Sequence, residues 1–162
     1  VKVDQLLSST GNLAVSGYAG DLTTETFTAY FKDGAGTMIG SPITFTTDAA
    51  GNYSIVTPQT GTFSVIIRGD STLNRKITGI TPGGAIPNTV LLNGNVVVDT
   101  VVDLTDYTVV VTYFNAVSTD LTWDVVGADG HKPKEADVTG DGAVDLSDYT
   151  EVVVNFNGVD ED

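Results

Sequence analysis

The sequence predicts a mainly β protein with a small α module: an N-terminal antiparallel β-sandwich of about seven strands, followed by a pair of loop–helix repeats. Three observations carry this expectation. Between Asn12 and Leu92, short β-rich runs alternate with Gly, Asp, Asn and Pro. From Asn95 onward the chain repeats itself at an offset of 42 residues. Within the second copy, Asp137 to Asp148 (DVTGDGAVDLSD) spaces oxygen-bearing side chains through a Gly-containing loop.

The candidate strands are Leu13–Tyr18, Phe27–Lys32, Ile43–Thr47, Tyr53–Thr57, Thr62–Arg68, Lys76–Ile80 and Thr89–Leu92. Alternation is clearest in Thr26–Phe31 and Ile43–Thr46, where one face is apolar and the other is threonine. Such strands suit a sandwich with one face buried and one wet. Asp48–Asn52 (DAAGN) reads as a hairpin turn, with Gly51 or Asn52 free to take a positive φ. The Pro- and Gly-rich stretch Gly79–Asn88 reads as a loop or hinge before a last strand that leads into the second module. The expected domains are therefore residues 1–91 and 92–162. The strand count and turn spacing indicate an immunoglobulin-like or prealbumin-like sandwich. The runs DAAGNYSI (48–55) and GTFSVIIR (61–68) resemble carboxypeptidase regulatory-like modules of bacterial surface proteins, a resemblance that implies no active site.

Composition narrows the function. Of 162 residues, 21 are Asp or Glu and 7 are Lys or Arg, a formal charge of -14. That charge repels nucleic acid and anionic membrane surfaces, and it makes divalent cations the natural counter-ions. Cysteine is absent, so disulfides and thiolate sites are excluded. No apolar run is long enough to insert in a membrane. The chain begins at Val1 without Met, and the expectation is a secreted, extracellular or cell-surface protein whose leader has been removed, although a trimmed chain reads the same. One His and four Glu leave little for acid–base or nucleophilic chemistry, and no hydrolase, zincin or phosphate-loop motif occurs. The expected class is non-enzymatic.

Aligning Asn95–Ala116 (NVVVDTVVDLTDYTVVVTYFNA) with Asp137–Gly158 (DVTGDGAVDLSDYTEVVVNFNG) gives 12 identities in 22 positions. Chance does not produce that, so this third of the chain is an internal duplication. In the second copy, loop positions 1, 3, 5, 9 and 12 are Asp137, Thr139, Asp141, Asp145 and Asp148. The backbone carbonyl at position 7 belongs to Ala143, and Gly142 permits the sharp turn at position 6. Calcium takes six to eight hard oxygen ligands, so this set is a calcium loop; Mg²⁺ prefers fewer protein ligands. Asp148 in place of the commoner Glu, and Thr139 in place of Asp or Asn, imply an affinity of about micromolar or weaker.

In the first copy the corresponding donors are Asn95, Asp99, the Val101 carbonyl, Asp103 and Asp106. Val97 stands at position 3, where it offers no oxygen, and Thr100 replaces the glycine. Two readings remain open there, a weak second calcium site or a degenerate loop held by its valines.

After each loop, Tyr107, Val110, Val111 and Phe114, and in the second copy Tyr149, Val152, Val153 and Phe156, follow i, i+3, i+4, i+7 spacing. The spacing predicts two helices packing on each other with these aromatics in the core. The β-branched run Thr108–Thr112 argues for a strand, and the duplication overrides it. In the insert Val117–Ala136, Trp123 is expected to cap the helix pair and His131 to lie in a solvated turn.

A duplicated calcium loop followed by a helix, without an entering helix, resembles the type I dockerin domain from about Leu92 to Gly158. The resemblance is closest in the second copy, at Asp137-x-Thr139-x-Asp141-Gly142 and Asp145-Leu-Ser-Asp148-Tyr149. It implies that the loops bind calcium and that the paired helices dock on a cohesin-like β-sandwich partner. A second reading is a subunit of an extracellular filament, in which the calcium module docks on the sandwich of another copy and the Val1–Ser9 segment pairs with a neighbouring sheet edge. A third is a carbohydrate-binding module with Tyr18, Tyr30, Phe31 or Tyr53 as its aromatic platform. Asn52-Tyr53-Ser54 fits a glycosylation acceptor but reads better as turn chemistry.

Overall fold

The computed structural model describes residues 7–59 and 61–162. Seven strands lie among the described residues: β1 Leu7–Val15, β2 Phe27–Lys32, β3 Ile43–Phe45, β4 Asn52–Thr57, β5 Phe63–Arg68, β6 Arg75–Ile80 and β7 Thr89–Leu91. Three helices follow, α1 Leu104–Thr112, the single turn α2 Pro133–Ala136 and α3 Leu146–Val154. No helix among the described residues is long and apolar enough to cross a membrane.

The strands form two sheets, ordered β4-β1-β7 and β3-β2-β5-β6. Period-two patterning drives them together: Phe27, Ala29 and Phe31 of β2 and Tyr53 and Ile55 of β4 all point inward. They meet Leu13, Phe63, Val65, Ile67 and Leu91 in one buried cluster. Phe31 and Phe63 pack edge to face with ring centroids 5.7 Å apart.

Two expectations about the strands need correction. The sheets are not wholly antiparallel, because β7 runs parallel to β1, pairing Leu13 with Thr89 and Val15 with Leu91. Parallel pairing requires a crossover. The Thr81–Asn88 connection makes it, leaving β6 in one sheet to reach the edge of the other. Likewise the Asp48–Asn52 turn does not close a hairpin, because β3 pairs with β2 and β4 with β1. Its local chemistry is as expected: Asp48 Oδ1 accepts from the Ala50 and Asn52 amides, both at 2.9 Å. Gly51 takes a φ of 81°, and a Cβ there would fall 2.0 Å from the Leu13 carbonyl oxygen.

Both segments after the loops are helical despite their valines. Asp103 and Asp145 cap them, accepting from the Thr105 and Ser147 amides at 2.7 Å, while Asp106 and Asp148 accept from the capping residues' own amides at 2.8 Å. The helices bury Val109, Val110 and Val152 in a second cluster with Val102, Val138 and Val144. The aromatic stripe behaves differently from expectation. Tyr107 and Tyr149 do pack, with ring centroids 5.3 Å apart, but Val111, Phe114, Val153 and Phe156 are exposed. The helices end at Thr112 and Val154, so the phenylalanines fall in the following turn, where helical phase no longer sets direction.

The two copies interlock about a pseudo-twofold axis. Val101 of the first loop bridges Val159, which follows α3, and Ala143 of the second loop bridges Val117, which follows α1. The flanking bonds match in pairs: Asn115 N–H to Val144 O and Asn157 N–H to Val102 O are both 2.8 Å. Asn115 and Asn157 make the return turns with φ of 73° and 65°, a conformation that Asn tolerates better than most residues.

The sandwich grips this helical part directly. Leu73, from the β5–β6 connection, is buried in the second cluster and not in its own. At the C-terminus, Asp160 accepts from the Asn74 amide and side chain at 2.7 and 2.8 Å, and Glu161 pairs with Arg75. Leu73→Ala is expected to lower unfolding free energy by about 2–5 kcal/mol, the range for a buried leucine truncation. Denaturant titration followed by far-UV circular dichroism would check it, and a loss below about 1 kcal/mol would contradict this packing.

Candidate metal-binding loops

The second loop is wound around its own carboxylates. Asp137 Oδ1 and Oδ2 accept from the Asp141 and Gly142 amides at 3.2 and 2.9 Å, and Asp141 Oδ1 accepts from the Ala143 amide at 3.0 Å. Asp148 closes the loop: Oδ1 accepts from the Thr139 amide and hydroxyl, both at 3.0 Å, and Oδ2 from the Asp145 amide. Gly140 and Gly142 take φ of 70° and 91°. The sequence-assigned positions 1, 3, 5, 7, 9 and 12 therefore all lie in one hydrogen-bonded loop.

Electrostatics single out two of these groups. Asp148 is fully buried, and burial followed by the nearby Asp141 charge raises its pKa. Burial also raises that of Asp137, with smaller contributions from Asp148 and Asp141. Asp145 is lowered, because it accepts from the Ser147 hydroxyl and amide. Among the described residues, no three Asp, Glu or His side chains converge as a ready-made metal cluster. The loop carboxylates are turned onto backbone amides, and Asp145 is committed to capping α3. The donors nevertheless fit calcium in kind: all are hard oxygens, two of the carboxylates are half-buried or buried beside a like charge, and the glycines give the chain room to turn.

The first loop repeats the frame with other chemistry. Asp106 Oδ1 accepts from the Val97 amide at 2.9 Å and Oδ2 from the Asp103 amide at 2.8 Å, while Asp99 Oδ1 accepts from the Val101 amide at 2.9 Å. Asn95 at position 1 accepts from the Asp99 amide at 3.1 Å and donates to the Asp99 carbonyl at 2.8 Å. Position 4 is Val98 at φ 56°, where the second loop has Gly140.

Sequence reasoning missed a polar seam beside the second loop. The Ala19 and Gly20 amides donate to the Thr139 carbonyl at 2.7 and 3.2 Å. A Cβ on Gly140 would fall 2.4 Å from the Tyr18 ring. Ser16 donates to Glu151, and the Asn155 amide donates to Glu151, Ser16 and the Asn93 carbonyl at 2.7 to 3.1 Å. The signal was present where the copies disagree: Glu151 and Asn155 align with Val109 and Tyr113. Copy two meets the sandwich at these positions, whereas Tyr113 in copy one donates to Asp129 and to the His131 carbonyl of the insert. Trp123 packs partly buried against the helical cluster, and half-buried His131 faces Glu135 at 3.2 Å.

The outer faces of the helices also escaped the sequence reading. Leu104 and Leu146, at loop position 10, are 64% and 65% exposed, and Phe114 and Phe156 are 43% and 41% exposed. Val111 and Val153 are exposed as well, so each copy exposes the same apolar set.

Residues 93–157 match the family model of the dockerin type I domain. No curated protein sequence matches the chain. Among solved structures, the fold is similar to that of a chain in an N-terminal-interface mutant of a type II cohesin–X–dockerin complex from Acetivibrio cellulolyticus, with TM-score 0.69, 22% identity, 94% of this chain and 97% of that chain covered. A C-terminal-interface mutant of the same kind of complex gives TM-score 0.68 at 21% identity over the same shares. The matching family model is type I while the structural neighbours come from type II complexes, and at this identity the neighbours speak for the fold. The dockerin-matching segment carries the exposed apolar residues of both copies.

Asp148 and Asp141 separate the loop's structural and ionic roles. In chelator, Asp148→Ala is expected to cost about 2–4 kcal/mol, since it strands buried Thr139 and Asp145 donors. Asp141→Ala, on a more open position, is expected to cost less than about 1 kcal/mol under the same conditions. Equal losses in parallel urea titrations would contradict the arrangement.

Proposed function

We propose that the chain is a secreted, non-catalytic interaction protein whose module at 92–162, ordered by calcium, docks on a cohesin-type domain, with residues 1–91 as an immunoglobulin-like sandwich that supports it. The observation that carries the reading is the apolar set Leu104, Val111, Phe114 and its counterpart Leu146, Val153, Phe156, exposed on a segment matching the dockerin family. Apolar residues repeated on an outer face mark a partner surface. The non-catalytic assignment is supported by the scarcity of acid–base and nucleophilic residues.

Asp137, Thr139, Asp141, the Ala143 carbonyl, Asp145 and Asp148 would hold the calcium, which when bound supplies positive charge against the buried carboxylates. Asp148 ties position 3 to position 12, Asp145 starts α3, and Gly142 returns the chain toward Asp137. These residues thereby hold Leu146 at the head of the exposed face. An extracellular or cell-surface setting follows, because loops of this affinity class fill only where calcium is plentiful.

Neither alternative reading gains support. The structural neighbours are cohesin complexes, and the Val1–Leu6 part of the expected edge-pairing segment lies outside the described residues. Of the aromatic platform proposed for sugars, Phe31 and Tyr53 are buried in the sandwich core and Tyr18 is packed on the second loop.

Two measurements test the proposal. Calcium is expected to raise the melting temperature by mass action on the folded state, and Asp141→Ala to remove most of the gain. Against a panel of type I and type II cohesins in calorimetry, at least one is expected to bind in calcium. Leu104→Asp with Leu146→Asp is expected to weaken that binding about 100-fold or more, as loss of buried interface anchors does. Absence of binding to every cohesin in calcium would remove the docking reading, and a melting temperature indifferent to calcium would remove the metal.

A further inference from the structure

We infer that the two loops are chemically unequal: the second takes the cation, and the first is a metal-free copy closed by the side-chain amide of Asn95. The inference rests on the calcium reading of the second loop.

Position 1 decides the matter. In the second loop Asp137 uses both oxygens as acceptors, from the Asp141 and Gly142 amides, so each oxygen still carries lone pairs and a share of negative charge. In the first loop Asn95 has one oxygen, and the Asp99 amide takes it at 3.1 Å. That bond fixes the orientation of the side chain, because an N–H requires an oxygen opposite it. The nitrogen end is then a donor with no acceptor capacity, and it closes on the Asp99 carbonyl at 2.8 Å. Asn95 is 1% exposed, so its side chain is shielded from water. The loop satisfies at position 1, with a neutral group, what the second loop satisfies with a carboxylate.

The remaining positions agree. Val97 supplies only its amide, which donates to Asp106, whereas Thr139 adds a hydroxyl directed at Asp148. Thr100 lies outside the left-handed region that Gly142 occupies, so the chain does not turn back toward position 1 in the same way. Asp99, Asp103, Asp106 and the Val101 carbonyl are left, four donor groups against the six of the second loop. Val96 and Val102 anchor the loop to the helical core instead.

Counting calcium bound per folded chain by equilibrium dialysis with elemental analysis tests this, on wild type, Asp99→Ala and Asp141→Ala. The expected counts are about one, one and zero, with the affinity of Asp99→Ala within about threefold of wild type. Two calcium ions on wild type, or a lower count for Asp99→Ala, would overturn the inference while leaving the calcium reading intact. None on wild type would overturn both. Should Asp141→Ala fail to fold, amide NMR of the wild type decides: Asp141, Gly142 and Ala143 are expected to shift during calcium titration while Asp99, Thr100 and Val101 stay in place. Saturable shifts in the second group with a midpoint of their own would sink the inference.

Discussion

The helical half of this protein depends on a reciprocal backbone exchange. Each loop pairs at position 7 with the chain that leaves the other copy's helix, Val101 with Val159 and Ala143 with Val117. Neither copy completes its loop alone, because the amides and carbonyls that stitch it down belong to the chain leaving the other copy's helix. Paired backbone groups of this kind are obligatory in a buried interface. The fold of one loop is therefore a condition for the fold of the other, even where their side-chain chemistry differs.

That coupling holds both loops to one frame although their side chains differ. Buried Asp106 and Asp148 do the same work at position 12, drawing in positions 3 and 9 by hydrogen bonds to backbone amides. Such bonds need a carboxylate and no cation. The copies diverge instead at positions 1 and 6, Asn95 against Asp137 and Thr100 against Gly142.

The sandwich is not a passive neighbour. It lends Leu73 to the helical core, and it presents the Ala19 and Gly20 amides to the carbonyl of Thr139. Its side chains reach α3 of the second copy through Ser16, Glu151 and Asn155, and its backbone reaches the first loop, where the Asn95 amide donates to the Ser71 carbonyl at 2.9 Å. The copies differ in their side-chain partners, since Asn155 bonds to Ser16 of the sandwich while the equivalent Tyr113 bonds to the insert.

Local patterning in the sequence determined a good deal: strands at Phe27–Lys32 and Tyr53–Thr57, and the equivalence of the copies from their identities. These follow from interactions between residues close in the chain, or from repetition. Other features were decided by contacts that no local pattern encodes. The parallel placement of β7, the sheet change at Asp48–Asn52 and the outward turn of Phe114 and Phe156 each depend on where the chain travels after a local element ends. The seam at Glu151 and Asn155 belongs to the same class, since both bond to Ser16, more than a hundred residues earlier in the chain. Side-chain type set which donors each loop owns. Tertiary packing decided which of them are buried and stand beside like charges.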